Sequence, residues 1–184
     1  GVEIYMADCH VENVSAFDNL RRFRVYGFYL KNPHLYHCSV TNISGRSSIG
    51  FYLQGRRGGT GESADTGAGG EVYYCQASEI SAIDNAYGMD ADYLTVYGFE
   101  CSAVSSSESR VWGIKINYCF LISCRTVELS SARYGLYGIY AGSYTQLYDC
   151  SVEDCLNDAD LTGIMNASAS VYGFYLDGRN SMAY

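Results

Sequence analysis

The chain of 184 residues contains a single proline, and none of its apolar stretches approaches the roughly 18 residues of a membrane helix. Positive charge is also scarce, since 12 Lys and Arg stand against 20 Asp and Glu and the net charge is −8. An acidic surface repels phosphate backbones, so we expect no nucleic-acid binding. Because no apolar stretch is long enough for a membrane helix, we also expect no membrane insertion. With so little proline, turns must depend on Gly, Asn, Asp and Ser.

Tyr, Gly and Cys are abundant instead, and they recur in phase. One marker is a glycine after an aromatic or small residue and before an alternating apolar segment, as in YGFYL (26–30) and WGIKI (112–116). Its glycines are Gly27, Gly50, Gly88, Gly113, Gly138 and Gly163. The widest gap contains a glycine-rich segment at about 55–71, which we interpret as a loop inserted into one coil. The segment lacks the ending of a phosphate-binding loop, so we do not expect it to bind phosphate.

The second marker is a cysteine with apolar residues two positions before and two after it. It occurs at Cys9, Cys38, Cys75, Cys101, Cys124 and Cys150, and Leu176 lies where the next would fall. Two independent markers that keep the same phase indicate a structural repeat of about 25 residues.

Both markers alternate with a period of two, which predicts strands and not helices. We expect Tyr36, Cys38 and Val40 to point the same way. A repeat with two or three short strands cannot bury its apolar side alone, so it must stack on its neighbours in a solenoid.

The pattern G-[FI]-x-[LIA] followed by [LV]-x-x-C-x-[VA] resembles the right-handed parallel β-helix repeat of the pectate-lyase-like superfamily. The resemblance implies an all-β, right-handed parallel β-helix solenoid of six to seven coils, with residues 1–184 as one domain. It says little about activity, because this repeat occurs in lyases, hydrolases, tailspikes and adhesins. The sequence starts and ends within repeat-like segments, from which we expect either a piece of a longer protein or a unit that stacks on its neighbours.

The phase-locked cysteines predict a stack of free thiols inside the core, where a thiol packs like a small hydrophobe. Some disulfides within this stack, or a metal site, remain alternatives. Cys119 and Cys155 fall outside the stack, so one of them could be exposed.

Asn13, Asn42 and Asn166 begin glycosylation sequons. Asn13 and Asn42 lie four residues after a stacked cysteine, as do Glu79, Glu128 and Asp154, so we interpret this offset as a turn in the left-handed conformation.

Acidic residues cluster in two turn-like segments and could bind Ca²⁺, although neither segment follows a calcium-loop pattern. They are Asp84, Asp90, Asp92, Asp154, Asp158 and Asp160. The alternative is that these carboxylates are solvated turn residues.

Enzymatic activity is not the favoured prediction, and no cofactor is expected. The sequence has three histidines, His10, His34 and His37, and we predict that none of them pairs with Asp or Ser from a neighbouring coil. General acid–base chemistry needs at least two convergent titratable groups.

Tyr29, Tyr52 and Tyr140 are expected to share an outer face, which would bind glycans, proteins or a second copy, or would stabilise the sheet by stacking. We therefore expect a structural module of an extracellular or cell-surface fibre, adhesin or spike, assembling head to tail. A carbohydrate-active fragment or a glycan-binding module is the alternative.

Overall fold

The computed structural model describes residues 2–16, 23–57, 69–157, 170–179 and 181–184. Every regular element in this part of the chain is a β-strand, and the strands, numbered in chain order, pair in parallel to form three sheets. Sheet A has seven strands: β1 (Ile4–Ala7), β4 (Pro33–Tyr36), β7 (Glu71–Tyr73), β10 (Thr95–Tyr97), β13 (Phe120–Ile122), β16 (Gln146–Tyr148) and β19 (Met182–Ala183).

Sheets B and C have six strands each. Sheet B contains β2 (His10–Ala16), β5 (Ser39–Gly45), β8 (Gln76–Ala82), β11 (Glu100–Ser106), β14 (Arg125–Ser131) and β17 (Ser151–Asn157). Sheet C contains β3 (Arg24–Lys31), β6 (Ser47–Gln54), β9 (Ala86–Asp92), β12 (Val111–Asn117), β15 (Leu136–Ala141) and β18 (Val171–Leu176).

Each coil contributes one strand to each sheet in turn, so the chain is a parallel β-solenoid, as the repeats predict. Six coils have all three strands, and β19 adds a seventh strand to sheet A alone. The complete coils thus number six, at the lower end of the predicted six to seven. Apolar side chains fill the space between the sheets, and the largest of those that are fully buried include Phe51, Phe99, Leu35 and Met89.

Left-handed backbone recurs at the same positions of successive coils. Asn13, Asn42, Glu79, Glu128 and Asp154 have φ between 51° and 58°, which confirms left-handed backbone at this offset, but they lie within strands of sheet B and not in the predicted turns. Ala103 completes the column, and each of these residues interrupts the pairing within a sheet B strand. A second such column, between sheets A and B, is Asp8, His37, Tyr74, Gly98, Ser123 and Asp149.

This second column changes which side chains point inward. Tyr36 and Cys38 were predicted to face the same way, but Cys38 is buried and Tyr36 is exposed, where it stacks on Tyr73. His37, with φ of 51°, lies between them and breaks the two-residue alternation. The inward residues are Leu35, Cys38 and Val40, so that prediction was wrong for Tyr36.

The repeated glycines form one column in sheet C. A Cβ atom built on Gly27, Gly50, Gly88, Gly113 or Gly138 would lie 2.5–2.7 Å from the carbonyl oxygen of the next glycine in the column. The glycine after Gly138 is Gly173, because Tyr137 pairs with Tyr172. The sequence had assigned that place to Gly163, which lies outside the described residues. Leu176 pairs with Ala141 in sheet C and so does not continue the cysteine column.

The inserted segment leaves and re-enters the coil at one corner. A Cβ atom on Gly55 would lie 3.0 Å from the Cα of Gly69, and the amides of Gly55 and Gly69 donate to the carbonyls of Asp92 and Tyr93. Residues 58–68, most of the predicted insertion, lie outside the described residues.

We predict that Gly113→Ala destabilises the protein by about 2–3 kcal/mol, the usual cost of overpacking. The new methyl group would lie 2.7 Å from both the Gly138 carbonyl oxygen and Cγ2 of Thr126. Gly173→Ala is the matched control, because its Cβ would meet only Val152 atoms at 4.0 Å and should cost less than about 1 kcal/mol. Urea unfolding followed by circular dichroism measures both, and equal losses in the two variants would contradict the role of the carbonyl column.

Candidate functional site

The outer surface of sheet C consists of two columns of side chains, which we call the aromatic face. The first column is Tyr26, Ile49, Tyr87, Trp112, Tyr137 and Tyr172. The second is Tyr29, Tyr52, Asp90, Lys115, Tyr140 and Tyr175. The structure thus places the predicted Tyr29, Tyr52 and Tyr140 in one column, with a charged pair between the tyrosines.

The rings of the aromatic face stack on one another along the solenoid axis. Trp112 lies between Tyr87, at 4.5 Å with an interplanar angle of 2°, and Tyr137, at 5.6 Å with an angle of 9°. Its exposed fraction is only 8%. A pyranose ring needs an open aromatic face, whereas these rings turn their faces to their neighbours and their edges to solvent. This geometry favours stabilisation of the sheet over glycan stacking.

The two charged residues of the second column, Asp90 and Lys115, form an ion pair with each other. Nζ of Lys115 lies 3.4 Å from Oδ1 of Asp90 and 5.6 Å from the centre of the Tyr87 ring. Burial raises the pKa of Asp90, although the Lys115 ammonium opposes the shift. Burial also raises the pKa of Tyr87 to about 12, so its hydroxyl stays protonated and can donate a hydrogen bond.

More tyrosine columns lie outside sheet C. Tyr36, Tyr73 and Tyr97 stack at 5.1 and 4.7 Å on the outer side of sheet A. Tyr93, Tyr118 and Tyr144 stack at 4.7 and 5.4 Å at the corner between sheets C and A. The sequence interpretation missed both, although residues 93, 118 and 144 are spaced by about one repeat.

The cysteine column runs inside the corner between sheets A and B. The strand register aligns Cys9, Cys38 and Cys75, and it aligns Cys124 with Cys150. Between these groups the column contains Phe99 and not Cys101. All eight cysteines are free thiols, and the inner members of the column are buried, whereas Cys9 and Cys150 are half-buried.

The assignment of Cys101 to this column was wrong. Cys101 pairs with Ala77 and Thr126 inside sheet B, two residues beyond the cysteine position. Spacing carried a signal for Phe99, which lies 24 residues after Cys75 and 25 before Cys124, a more even division than Cys101 gives. Of the two cysteines that the sequence had already placed outside the column, Cys119 is fully buried and Cys155 is half-buried.

The thiols differ in acidity because their surroundings differ. Burial raises the pKa of Cys75 and Cys119 to about 12 and raises that of Cys101 as well. Cys150 is the exception, because its interaction with the neighbouring Cys124 thiol lowers its pKa. The thiolate is the reactive form, so Cys150 is the most nucleophilic of these four thiols.

The histidines each lie beside an oxygen atom of another residue, which contradicts the prediction that none pairs with Asp or Ser across coils. Nδ1 of His10 lies 2.7 Å from Oγ of Ser39, and Nε2 lies 3.5 Å from Glu12. His37 lies 3.7 Å from Asp8. His10, Ser39 and Glu12 do not have the arrangement of a hydrolase triad, in which backbone amides stabilise an oxyanion. The His10 and Glu12 side chains are solvent-exposed, and the Ser39 amide donates to the Cys9 carbonyl.

The calcium candidates do not converge. Asp84 pairs with Arg46 at 3.0 Å, Asp90 pairs with Lys115, and Asp92 accepts from Nδ2 of Asn117 at 3.0 Å. Asp154 occupies a left-handed position of sheet B, and Asp158 and Asp160 lie outside the described residues. The described ranges contain no cluster of three or more His, Cys, Asp or Glu side chains that could hold a metal ion.

Two of the three sequon asparagines stack on each other. Both Asn13 and Asn42 are exposed, and Nδ2 of Asn42 donates to Oδ1 of Asn13 at 2.6 Å. Asn166 lies outside the described residues. Glycosylation of these asparagines stays a prediction.

No family model, curated protein or solved structure matches this chain. In the part of the chain that the structure describes, none of the elements is a helix able to span a membrane.

We predict that Trp112→Ala destabilises the protein by about 3 kcal/mol, because it removes a buried ring and separates Tyr87 from Tyr137. Tyr5→Ala is the control, since Tyr5 is exposed and stacks only on His34, and it should cost about 1 kcal/mol. Thermal unfolding of both variants measures the difference. A loss for Trp112→Ala no larger than for Tyr5→Ala would show that the aromatic face does not stabilise the coils.

We also predict that iodoacetamide at pH 7.5 alkylates Cys150 more than about tenfold faster than Cys101. A lowered pKa leaves more thiolate at a given pH, and the raised pKa of buried Cys101 has the opposite effect. Peptide mass spectrometry over a time course gives both rates. Cys124→Ala should slow the labelling of Cys150, because alanine has no donor at this position. Equal rates at Cys150 and Cys101 would refute the assignment.

Proposed function

We propose that this chain is a non-enzymatic structural module that stacks end to end on further copies of itself in an extracellular or cell-surface fibre, adhesin or spike. The observation that carries the proposal is an identity between two strands. Residues 25–30 of β3 and 171–176 of β18 both have the sequence VYGFYL. These strands are the two edges of sheet C, and parallel edges are templates for further pairing.

Joining β18 of one copy to β3 of the next continues the columns of the solenoid with the same side chains. Phe174 would then stack on Phe28, as Phe28 stacks on Phe51 within one copy at 5.1 Å. Tyr175 would stack on Tyr29, as Tyr29 stacks on Tyr52 at 5.0 Å. The junction therefore repeats, in sheet C, contacts that the solenoid already makes. In sheet A, β1 of the next copy would have to displace β19, which pairs with β16.

One pair of opposite charges would meet at the sheet C edge. Lys31 ends β3 and Asp177 follows β18 in the same column, so they would meet across the junction. In sheet B, by contrast, Glu12 and Glu153 share a column and would repel each other across the junction. Each of these has a cationic or titratable neighbour, since Arg125 lies 2.7 Å from Glu153 and His10 lies 3.5 Å from Glu12.

The apolar columns also end in exposed side chains. Phe174 and Leu176 are 44% and 46% exposed, whereas Phe51 and Leu53, in the same columns, are fully buried. Full burial of such a side chain contributes roughly 1.5–3 kcal/mol. A second copy that covers both would recover much of this free energy, and a head-to-tail contact of this kind does not close, so it builds a filament.

The proposal groups the chain with the non-catalytic, surface or fibre type of parallel β-helix protein that its repeat resembles in the pectate-lyase-like superfamily. The competing interpretations, a carbohydrate-active fragment or a glycan-binding module, are less well supported. The rings around Trp112 stack face to face on one another and so do not present open faces to a sugar, and Asp90 is ion-paired with Lys115.

We expect the purified chain to form filaments at high concentration under reducing conditions, visible by electron microscopy and as a concentration-dependent increase in sedimentation coefficient. Phe174→Glu should abolish this assembly, because it places a charge at the junction, while its exposed position leaves the fold intact.

Ile83→Glu is the matched control, since Ile83 is also an exposed apolar residue, at 36%, but belongs to a middle coil. It should assemble like the unmodified chain. A stable monomer at high concentration, or equal assembly of both variants, would overturn the proposal.

A further inference from the structure

We infer that Cys124 and Cys150 form a dithiol site that reduces small, neutral, apolar disulfides and closes into a disulfide within the chain. The two cysteines lie on neighbouring coils of the cysteine column, where the pairing of β13 with β16 and of β14 with β17 aligns them. The inference uses contacts within a single copy, so it does not depend on the proposed end-to-end assembly.

The side chain of Cys150 points toward the coil that contains Cys124. Its Sγ lies 3.4 Å from the carbonyl oxygen of Tyr148 in its own coil and 3.8 Å from that of Leu121 in the preceding coil. Neighbouring parallel strands lie about 4.8 Å apart, which is within the roughly 4.4–6.8 Å that separates Cα atoms across a disulfide. Sγ of Cys124 lies 3.8 Å from the carbonyl oxygen of Val96, one coil further back, so the bond forms once this side chain rotates toward Cys150.

Cys150 is the member of the pair that a reagent reaches first. It lines an apolar cavity of about 230 Å³ together with Leu147, Phe174 and Tyr184, whereas Cys124 is only 1% exposed. The interaction with the Cys124 thiol also lowers the pKa of Cys150, which leaves more of it as thiolate at neutral pH. The outer thiol therefore attacks the reagent, and the buried thiol reacts second.

The surroundings of Cys150 select the substrate by polarity and charge. Aliphatic and aromatic side chains line the cavity, and such a lining favours an apolar group. Asp149, the next residue in the sequence, opposes an anion, since its carboxylate acts on the thiol in the direction that raises the pKa. A neutral disulfide with small apolar substituents therefore fits this site better than a dianionic one.

The reaction consists of two thiol–disulfide exchange steps. The Cys150 thiolate attacks one sulfur of the small disulfide, which forms a mixed disulfide and releases one small thiolate. The Cys124 thiol loses its proton to that thiolate, attacks Sγ of Cys150 and releases the second small thiolate, which takes a proton from solvent. The two protein thiols are oxidised by two electrons in total, and the small disulfide is reduced to two thiols.

The test adds dipyridyl disulfide, which is neutral and apolar, to the folded chain at low concentration and follows the products by peptide mass spectrometry. We expect a linked Cys124–Cys150 peptide in the unmodified chain. In Cys124→Ala the reaction should stop at a pyridyl mixed disulfide on Cys150, because no second thiol is present to displace the pyridinethiol. In Cys150→Ser, Cys124 should stay a free thiol.

Cys101→Ala is the matched control, since Cys101 is buried in a different column, next to Ala77, and it should form the link like the unmodified chain. Circular dichroism before the addition shows that each variant is folded. The dianionic dithiobis(nitrobenzoic acid) should form the link more slowly than dipyridyl disulfide, when the rate of each reagent is divided by its rate with the chain unfolded in urea.

A pyridyl mixed disulfide that persists on Cys150 of the unmodified chain, or a link from Cys150 to another cysteine, would overturn the inference. Equal rate ratios for the neutral and the dianionic reagent would overturn the assigned substrate class. None of these results depends on assembly, so the proposed function would stand in each case.

Discussion

Every coil of this solenoid must lie on the previous coil at one strand spacing, about 4.8 Å, in all three sheets at once. The glycine column shows how little room this constraint leaves. At Gly113, the carbonyl oxygen of Gly138 stands 2.7 Å from where a Cβ atom would be, and the same contact recurs at other glycines of the column. Because backbone meets backbone there, the coils cannot separate to admit a side chain, and the repeat requires glycine.

The same constraint turns each position of the repeat into a column with its own chemistry. Left-handed columns accept Asn, Asp, Tyr, Glu and even Ala103, so at these sites the backbone geometry of the corner outweighs the preference of the residue. Inward columns select for size more than polarity. Cys101 and Thr126 occupy a column that otherwise contains Val and Ala, and the Thr126 hydroxyl is buried without a hydrogen-bond partner among the described residues.

The sequence was sufficient to predict the architecture because period and phase are local properties. The glycine and cysteine markers identify the strands of sheet C and the corner between sheets A and B, and the shared offset of Asn13 and Asn42 predicts left-handed backbone. The errors at Cys101, Gly163 and Tyr36 have a different origin. They concern register, and register depends on which residues bulge and on how long each connection is.

A rule based on residue spacing shows neither which residues bulge nor how long each connection is. One left-handed residue, His37, is enough to move Tyr36 from the core to the surface. The connection between β17 and β18 is longer than its equivalents in the preceding coils, so counting 25 residues from Gly138 reaches Gly163 and not Gly173. The charged pair Asp90–Lys115 was missed for a related reason, since its members come from different coils and meet only through pairing.

The stacking contacts that join the coils within one copy are made by the same residue types near both ends of sheet C. Tyr26 and Tyr29 in the first coil meet edge to face at 83°, as do Tyr137 and Tyr140 near the other end. Tyr29 and Tyr52 stack at an angle of 17°, and so do Tyr140 and Tyr175. In the proposed stack these two groups become neighbours and form one aromatic cluster across the junction. The stacking that joins the coils of sheet C within one copy would thus continue across the junction into the next.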